Sequence, residues 1–235
     1  MIKLVDILEN KILVPRRSKE ERQKNHQIAI QKKVQQYIKD GSKGDLDLYR
    51  TPITSLPDNL QVGGDLDLRN TPLSSLPNNL QVGGSLDLTN SKITSLPNDL
   101  QVGEGLYLTN SKITSLPDNL QVEGNLNLAN TPITSLPNNL QVGEGLYLDN
   151  TKITSLPNDL KVEENLYLTN SKITSLPNDL QVGGDLYLYN TLITSLPNDL
   201  QVGGDLNLYN TPISKKYSKE EIRKMVPRVK GGIYT

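Results

Sequence analysis

From Asp45 onward the chain repeats itself every 20 residues with no insertion or deletion. The unit Asp65-Leu66-Asp67-Leu68-Arg69-Asn70-Thr71-Pro72-Leu73-Ser74-Ser75-Leu76-Pro77-Asn78-Asn79-Leu80-Gln81-Val82-Gly83-Gly84 is typical. Eight full copies fill residues 45–204, and a ninth begins at Asp205 and stops after Ser214. Where the next Leu-Pro step is due, after Leu196-Pro197 of the preceding copy, the chain reads Lys216-Tyr217. A fixed period of this length admits few architectures. Each unit buries its apolar side only against its neighbours, so the units must stack.

Each copy keeps six apolar positions, here Leu66, Leu68, Leu73, Leu76, Leu80 and Val82. Leu66-x-Leu68 alternates, which predicts a short strand with both leucines inward. The Leu76-Pro77 step breaks any helix, and Gly83-Gly84 predicts a tight corner. Leu80-x-Val82 predicts a second short strand on the opposite side. One copy therefore reads as a flattened coil with apolar residues pointing in. Composition agrees: the chain has no Phe, no Trp and no Cys, so tyrosine supplies every aromatic ring. A thin core of Leu, Ile and Val suits that inventory better than a wide globular one. Eight coils at about 4.8 Å each make a rod roughly 38 Å long.

The string Leu-x-Leu-x-x-Thr-x-Ile-x-x-Leu-Pro, repeated over residues 45–214, resembles the leucine-rich-repeat consensus, and the 20-residue period is similar to the short bacterial type. The resemblance implies a leucine-rich-repeat solenoid of parallel β coils whose main strands line a concave, partner-binding face. One departure stands out. Where most such proteins carry an inward Asn, this chain has Thr51, Thr71, Ser91, Ser111, Thr131, Thr151, Ser171, Thr191 and Thr211. Their hydroxyls are expected to cap turn carbonyls or amides, with Asn70 to Asn210 at the corner just before. Variants with this Thr turn resemble bacterial and phage repeat proteins, and the layout of a cap followed by repeats looks like that of repeat-only effectors, which act by scaffolding.

A solenoid exposes an apolar cross-section at each end and needs caps. Residues 1–44 fit the N-terminal one: Ser18-Lys19-Glu20-Glu21 is a capping box, Asp40-Gly41 a helix stop, and Ile30, Val34, Tyr37 and Ile38 an apolar stripe. Residues 215–235 read as a C-terminal cap, with a short helix from Ser218 that ends before Pro227 and a tail from Val229 to Thr235. Charge is uneven. Residues 1–44 carry net +6, residues 211–235 net +5, and the repeats between them net −12. The basic ends read as solvated helix faces or as contacts for nucleic acid or an acidic partner, and the acidic body argues against DNA.

In a repeat protein the constant positions build the rod, and the varying outward ones are free to carry specificity. Leu66 and Leu68 point in, so positions 65, 67 and 69 of each coil point out. The middle row reads Asp47, Asp67, Asp87, Tyr107, Asn127, Tyr147, Tyr167, Tyr187, Asn207 and changes character halfway along. Tyr189 and Tyr209 join the aromatic half, while Asp45 and Asp65 join the acidic one. Flat tyrosines with little rotamer entropy to lose suit a protein partner, with Lys92, Lys112, Lys152 and Lys172 flanking. The competing reading is that stacked tyrosines stabilise the sheet. Stacked aspartates repel, so Asp47, Asp67 and Asp87 read as a docking patch for a basic partner, as solvated leftovers of duplication, or, with Asp45 and Asp65, as ligands of a hard cation. The outward row from Gln61 to Gln201, interrupted by Lys161, reads as a structural amide ladder.

No enzyme is expected. His26 is the only histidine, there is no cysteine nucleophile, and nearly every Ser and Asp is a repeat position rather than part of a unique constellation. Some secreted bacterial effectors with similar repeats add a ubiquitin-ligase domain with a catalytic Cys, which has no counterpart here. No cofactor or metal is implied. Two readings remain: a non-catalytic protein-binding module (adaptor, scaffold or inhibitor), or a structural part, such as a phage virion or surface component, that self-associates. Lys3, Asp6, Glu9 and Lys11 interrupt the apolar run of Met1 to Leu13, so no secretory signal or membrane span is expected. The expected location is cytoplasmic, or host cytoplasm or virion if the chain is phage-encoded.

Overall fold

The computed structural model describes residues 18–235. Residues 1–17, with the opening of the expected N-terminal cap and the Met1–Leu13 stretch, lie outside the described residues.

Helix α1 (Lys19–Lys39) precedes a stack of 20-residue coils. The first of each coil's two strands is a two-residue segment, Leu46–Asp47 in the first coil and Leu206–Asn207 in the ninth. These strands pair in parallel in strict chain order, each residue opposite the one 20 positions on, as Leu46 is opposite Leu66 and Asp47 opposite Asp67. The second strands, Gln61–Val62 to Gln201–Val202, form two smaller parallel sheets of three and five strands on the other side. Between the two sides Leu, Ile and Val fill one continuous core, with Leu66, Leu68, Leu73 and Leu80 fully buried. The fold is a leucine-rich-repeat solenoid of parallel β coils with helical segments at both ends, as the period required.

The chain bends at Gly83-Gly84 as expected, and a further corner falls at Asn70. Gly83 and Gly84 do not take left-handed backbone, whereas Asn70, Asn90, Asn110 and their equivalents do, with φ near 56–59°. Asparagine tolerates that region better than other side chains because its short amide bonds locally. In the first coil Arg50 occupies this place at φ 53°. The glycines serve close approach instead: a Cβ on Gly83 would lie 2.5 Å from the carbonyl oxygen of Gly63 in the coil below.

The inward hydroxyls do cap the turn. Thr71 Oγ1 donates to the Leu68 carbonyl at 2.8 Å, and Thr131, Thr151 and Thr191 repeat the bond at 2.7–2.8 Å. The serines of the row do less. Ser91 and Ser111 accept from the amides of Ile93 and Ile113 only at 3.5 and 3.4 Å, and the buried Ser171 Oγ has no partner. The expected glutamine ladder does not form, since no side-chain hydrogen bond joins these glutamines among the described residues. Long side chains reach solvent, while the short amides held at the left-handed corner line up instead: Asn170 Nδ2 donates to Asn150 Oδ1 at 2.9 Å and Asn190 Nδ2 to Asn170 Oδ1 at 2.7 Å.

Both ends are closed by side chains that stand in for a missing coil. At the start, Ile30 and Val34 of α1 are buried, and Tyr37 donates to the Gly44 carbonyl at 2.7 Å while accepting from the Gly63 amide at 3.2 Å. Lys33 Nζ donates to the Asp47 carbonyl, which has no lower coil to meet. At the other end, α2 (Pro212–Lys216) and α3 (Lys219–Met225) interrupt the ninth coil. The segment expected as a tail then rejoins the stack. Val229 bridges Val202, and Ile233–Tyr234 becomes the tenth strand of the large sheet, with Leu206 opposite Ile233. The string Val229-Lys230-Gly231-Gly232-Ile233 repeats the outline of Val202 to Leu206 at an offset of 27 instead of 20, which hid it from the period. Arg223 donates to the carbonyls of Val229 and Gly231, each at 2.6 Å. One coil earlier those carbonyl positions receive backbone amides, Lys230 to Val202 and Gly231 to Gly204.

Candidate functional site

The outward face of the ten-stranded sheet collects every residue singled out as a candidate contact. Its regular spacing comes from the parallel pairing, and its chemistry changes from coil to coil.

In the acidic half the carboxylates have backbone partners. Asp45 Oδ1 accepts the Asp65 amide at 2.9 Å, and Asp65 Oδ1 accepts the Ser85 amide at 2.7 Å. The same bond recurs up the rod through Ser85, Asn125, Asn165, Asp185 and Asp205, the last receiving Gly232 at 2.6 Å. The middle row turns back on its own strand: Asp47, Asp67 and Asp87 accept the amides of Tyr49, Arg69 and Thr89 at 2.9–3.0 Å. Sequence reading missed these roles, although Ser and Asn alternating with Asp in one row is the signal of a shared acceptor. Repulsion between coils is relieved by Arg69, whose guanidinium lies 2.5 Å from Asp67 and 3.6 Å from Asp87. Burial pushes the Asp67 carboxyl up, but hydrogen bonds from the side chain and backbone of Arg69 outweigh it and hold it below the usual range. Among the described residues no group of three or more His, Asp or Glu is placed to hold a metal ion.

In the aromatic half Tyr147, Tyr167 and Tyr187 form a continuous stack. Their ring centroids are 4.5 and 4.7 Å apart and the planes lie within 8° and 3° of parallel. Tyr107 lies two strands away, separated from Tyr147 by Asn127. The four are half-buried. Tyr187 donates to Asp185 Oδ2 at 2.9 Å, and that bond, with burial, pushes its phenol up to about 12. Burial raises Tyr107 and Tyr147 too, helped for Tyr107 by the charges of Glu144 and Asp87. Negative potential therefore extends from the acidic coils into the aromatic ones. Asp149 is raised by burial against the bonds it accepts from Thr169.

Tyr189 and Tyr209 stand beside the stack rather than in it, at 44% and 45% exposure. Lys92, Lys112, Lys152 and Lys172 are exposed and form no ion pair among the described residues. His26 is exposed on α1, remote in sequence from the strip. No described helix is long and apolar enough to cross a membrane.

No family model matches the chain, and no curated protein is similar enough to count as a relative. Among solved structures it is similar to YopM, a leucine-rich effector protein from Yersinia pestis, at 19% identity and a TM-score of 0.46, over 80% of this chain and 67% of that one. It is also similar to a leucine-rich-repeat protein of Leptospira interrogans at 22% identity and a TM-score of 0.31, over 77% and 81% of the two chains. These likenesses are of fold alone.

Proposed function

We propose that the chain is a non-catalytic protein-binding module that holds a protein partner against the outward face of its ten-stranded sheet, as an adaptor, scaffold or inhibitor. The observation that carries the reading is the middle row. Its backbone repeats coil after coil, yet its residues run from Asp47, Asp67 and Asp87 to Tyr107, Tyr147, Tyr167 and Tyr187. A row needed only for stability has no use for that change. Asn127 and Asn207 occupy the same place in a coil, so tyrosine is not required there for folding. The stacked rings offer a rigid flat surface at small entropic cost, and the negative potential around them favours a partner with a basic surface.

The test is capture of a partner from lysate of the source cells by the native chain and by a variant with Tyr107, Tyr147, Tyr167 and Tyr187 all changed to Asn. Loss of the two stacking contacts is expected to cost about 1–3 kcal/mol, which leaves a rod of eight coils folded. A protein retained by the native chain and lost by the folded variant supports the reading. Equal retention by both, or a variant that unfolds outright, assigns the stack a structural role and removes the proposal.

A further inference from the structure

Among residues 45–235, four of the five large apolar side chains left exposed gather in the last coils: Tyr189 at 44%, Leu192 at 49%, Tyr209 at 45% and Tyr234 at 42%. Tyr189, Leu192 and Tyr209 lie on repeat positions that other coils fill with smaller or polar residues. Tyr189 and Tyr209 stand where Thr89, Thr109 and Thr169 stand elsewhere, and Leu192 replaces the Pro or Lys of every other coil. They are continuous with the tenth strand, since the Tyr209 and Tyr234 rings lie 6.3 Å apart at 45°. The rod has no need of these substitutions, because the core beneath them is complete: Leu186, Leu188, Ile193 and Leu206 are fully buried.

The patch carries opposite charges on its two sides. Asp185 and Asp205 precede the strands, and the charge of Asp205 raises the phenol of Tyr234. Lys215 and Lys216 in α2 and Lys219 at the start of α3 follow them, with Lys219 Nζ 5.9 Å from the centre of the Tyr234 ring. We propose that this patch is an interface between two copies of the chain, related by a two-fold axis that runs along the stack. Such an axis brings the two sheet faces together and reverses strand direction in the partner. The acidic side of each patch then meets the basic side of the other, while the exposed rings meet at the centre. A head-to-tail contact is the alternative for identical chains, and it leaves the rings of Tyr189 and Tyr209 on the sheet face uncovered. It would set α1, with Lys24, Lys32 and Lys39 exposed, against a C-terminal segment of net +5.

The interface lies on the sheet face that also carries the partner proposed above, so the two would compete; they are tested apart because Tyr107, Tyr147, Tyr167 and Tyr187 are outside the substituted positions. The repeat supplies variants that keep the fold: Leu192→Lys, Tyr189→Thr and Tyr209→Thr each restore a residue that another coil holds at the same place. Sedimentation equilibrium of the full chain over a dilution series is expected to show a monomer–dimer equilibrium that weakens as salt is added. In the triple variant the dissociation constant is expected to rise by roughly tenfold or more, with an unchanged melting curve. Tyr49→Thr, the same kind of change at the other end of the sheet, is expected to leave it unaltered. A native chain that stays monomeric throughout, association that continues beyond two copies, or a triple variant that dimerises like the native chain overturns the proposal.

Discussion

Ser171 shows what one methyl and one hydroxyl decide in a coil. Its Oγ is buried without a partner, while Thr151 and Thr191 in the coils on either side bond the turn carbonyl at 2.7 and 2.8 Å. The added methyl of a threonine favours the rotamer that returns the hydroxyl to the Leu168 carbonyl. Ser171→Thr is therefore expected to stabilise the fold by about 1–2 kcal/mol, one net hydrogen bond and one buried methyl, as read by chemical denaturation. At the same scale Tyr187 reports on Asp185. Its phenol titrates at about 12 in the fold against an ordinary value of 10.0. The neutral form is thus favoured by folding, so this contribution is fully present below pH 10 and disappears as pH rises through 12. Asp185→Asn keeps the acceptor for the Asp205 amide but removes the charge. The ultraviolet titration of this one tyrosine is expected to move toward the ordinary range, and an unmoved curve would show that burial rather than Asp185 sets it.

Elements in this chain are short, and their ends matter more than their interiors. Strands of two residues are stable only because each is paired on both sides, so the terminal ones depend on what replaces the missing neighbour. At the C-terminal end that replacement is the Arg223 guanidinium, whose planar fork meets two carbonyls that amides meet elsewhere. Arg223→Met removes both bonds and is expected to destabilise the last segment by about 2–4 kcal/mol. Hydrogen exchange should quicken at the Leu206 and Leu208 amides, which donate to Gly232 and Tyr234, and stay unchanged in the first coils. Uniform acceleration along the rod would mean that Arg223 supports the whole stack instead. The coils themselves were legible in the sequence, because period, inward leucines and breaker residues all pointed the same way. The tenth strand was not, because α2 and α3 displace it by seven residues from the period, and a two-residue strand carries no pattern of its own.

For the molecule as a whole, the sequence disclosed the rod, its capped ends and the row on which residues vary. It did not disclose what the acidic residues do, since a side-chain acceptor for the next coil's amide is invisible until the coils are stacked. Asp45 and Asp65 looked like a charge pattern and, like Asp185 and Asp205, are part of the coil-to-coil bonding. The tyrosine row was legible as a row, but ring-to-ring contact among Tyr147, Tyr167 and Tyr187 and the exclusion of Tyr107 follow from stacking order alone. The closures at the two ends also touch only the coil beside them, through Lys33 and Tyr37 at one end and Arg223 at the other. Neither closure measures how many coils lie between. Removing or adding one whole 20-residue coil is therefore expected to leave both closures in place. Rod length is then a quantity that changes in whole coils, each step alike to the closures at either end.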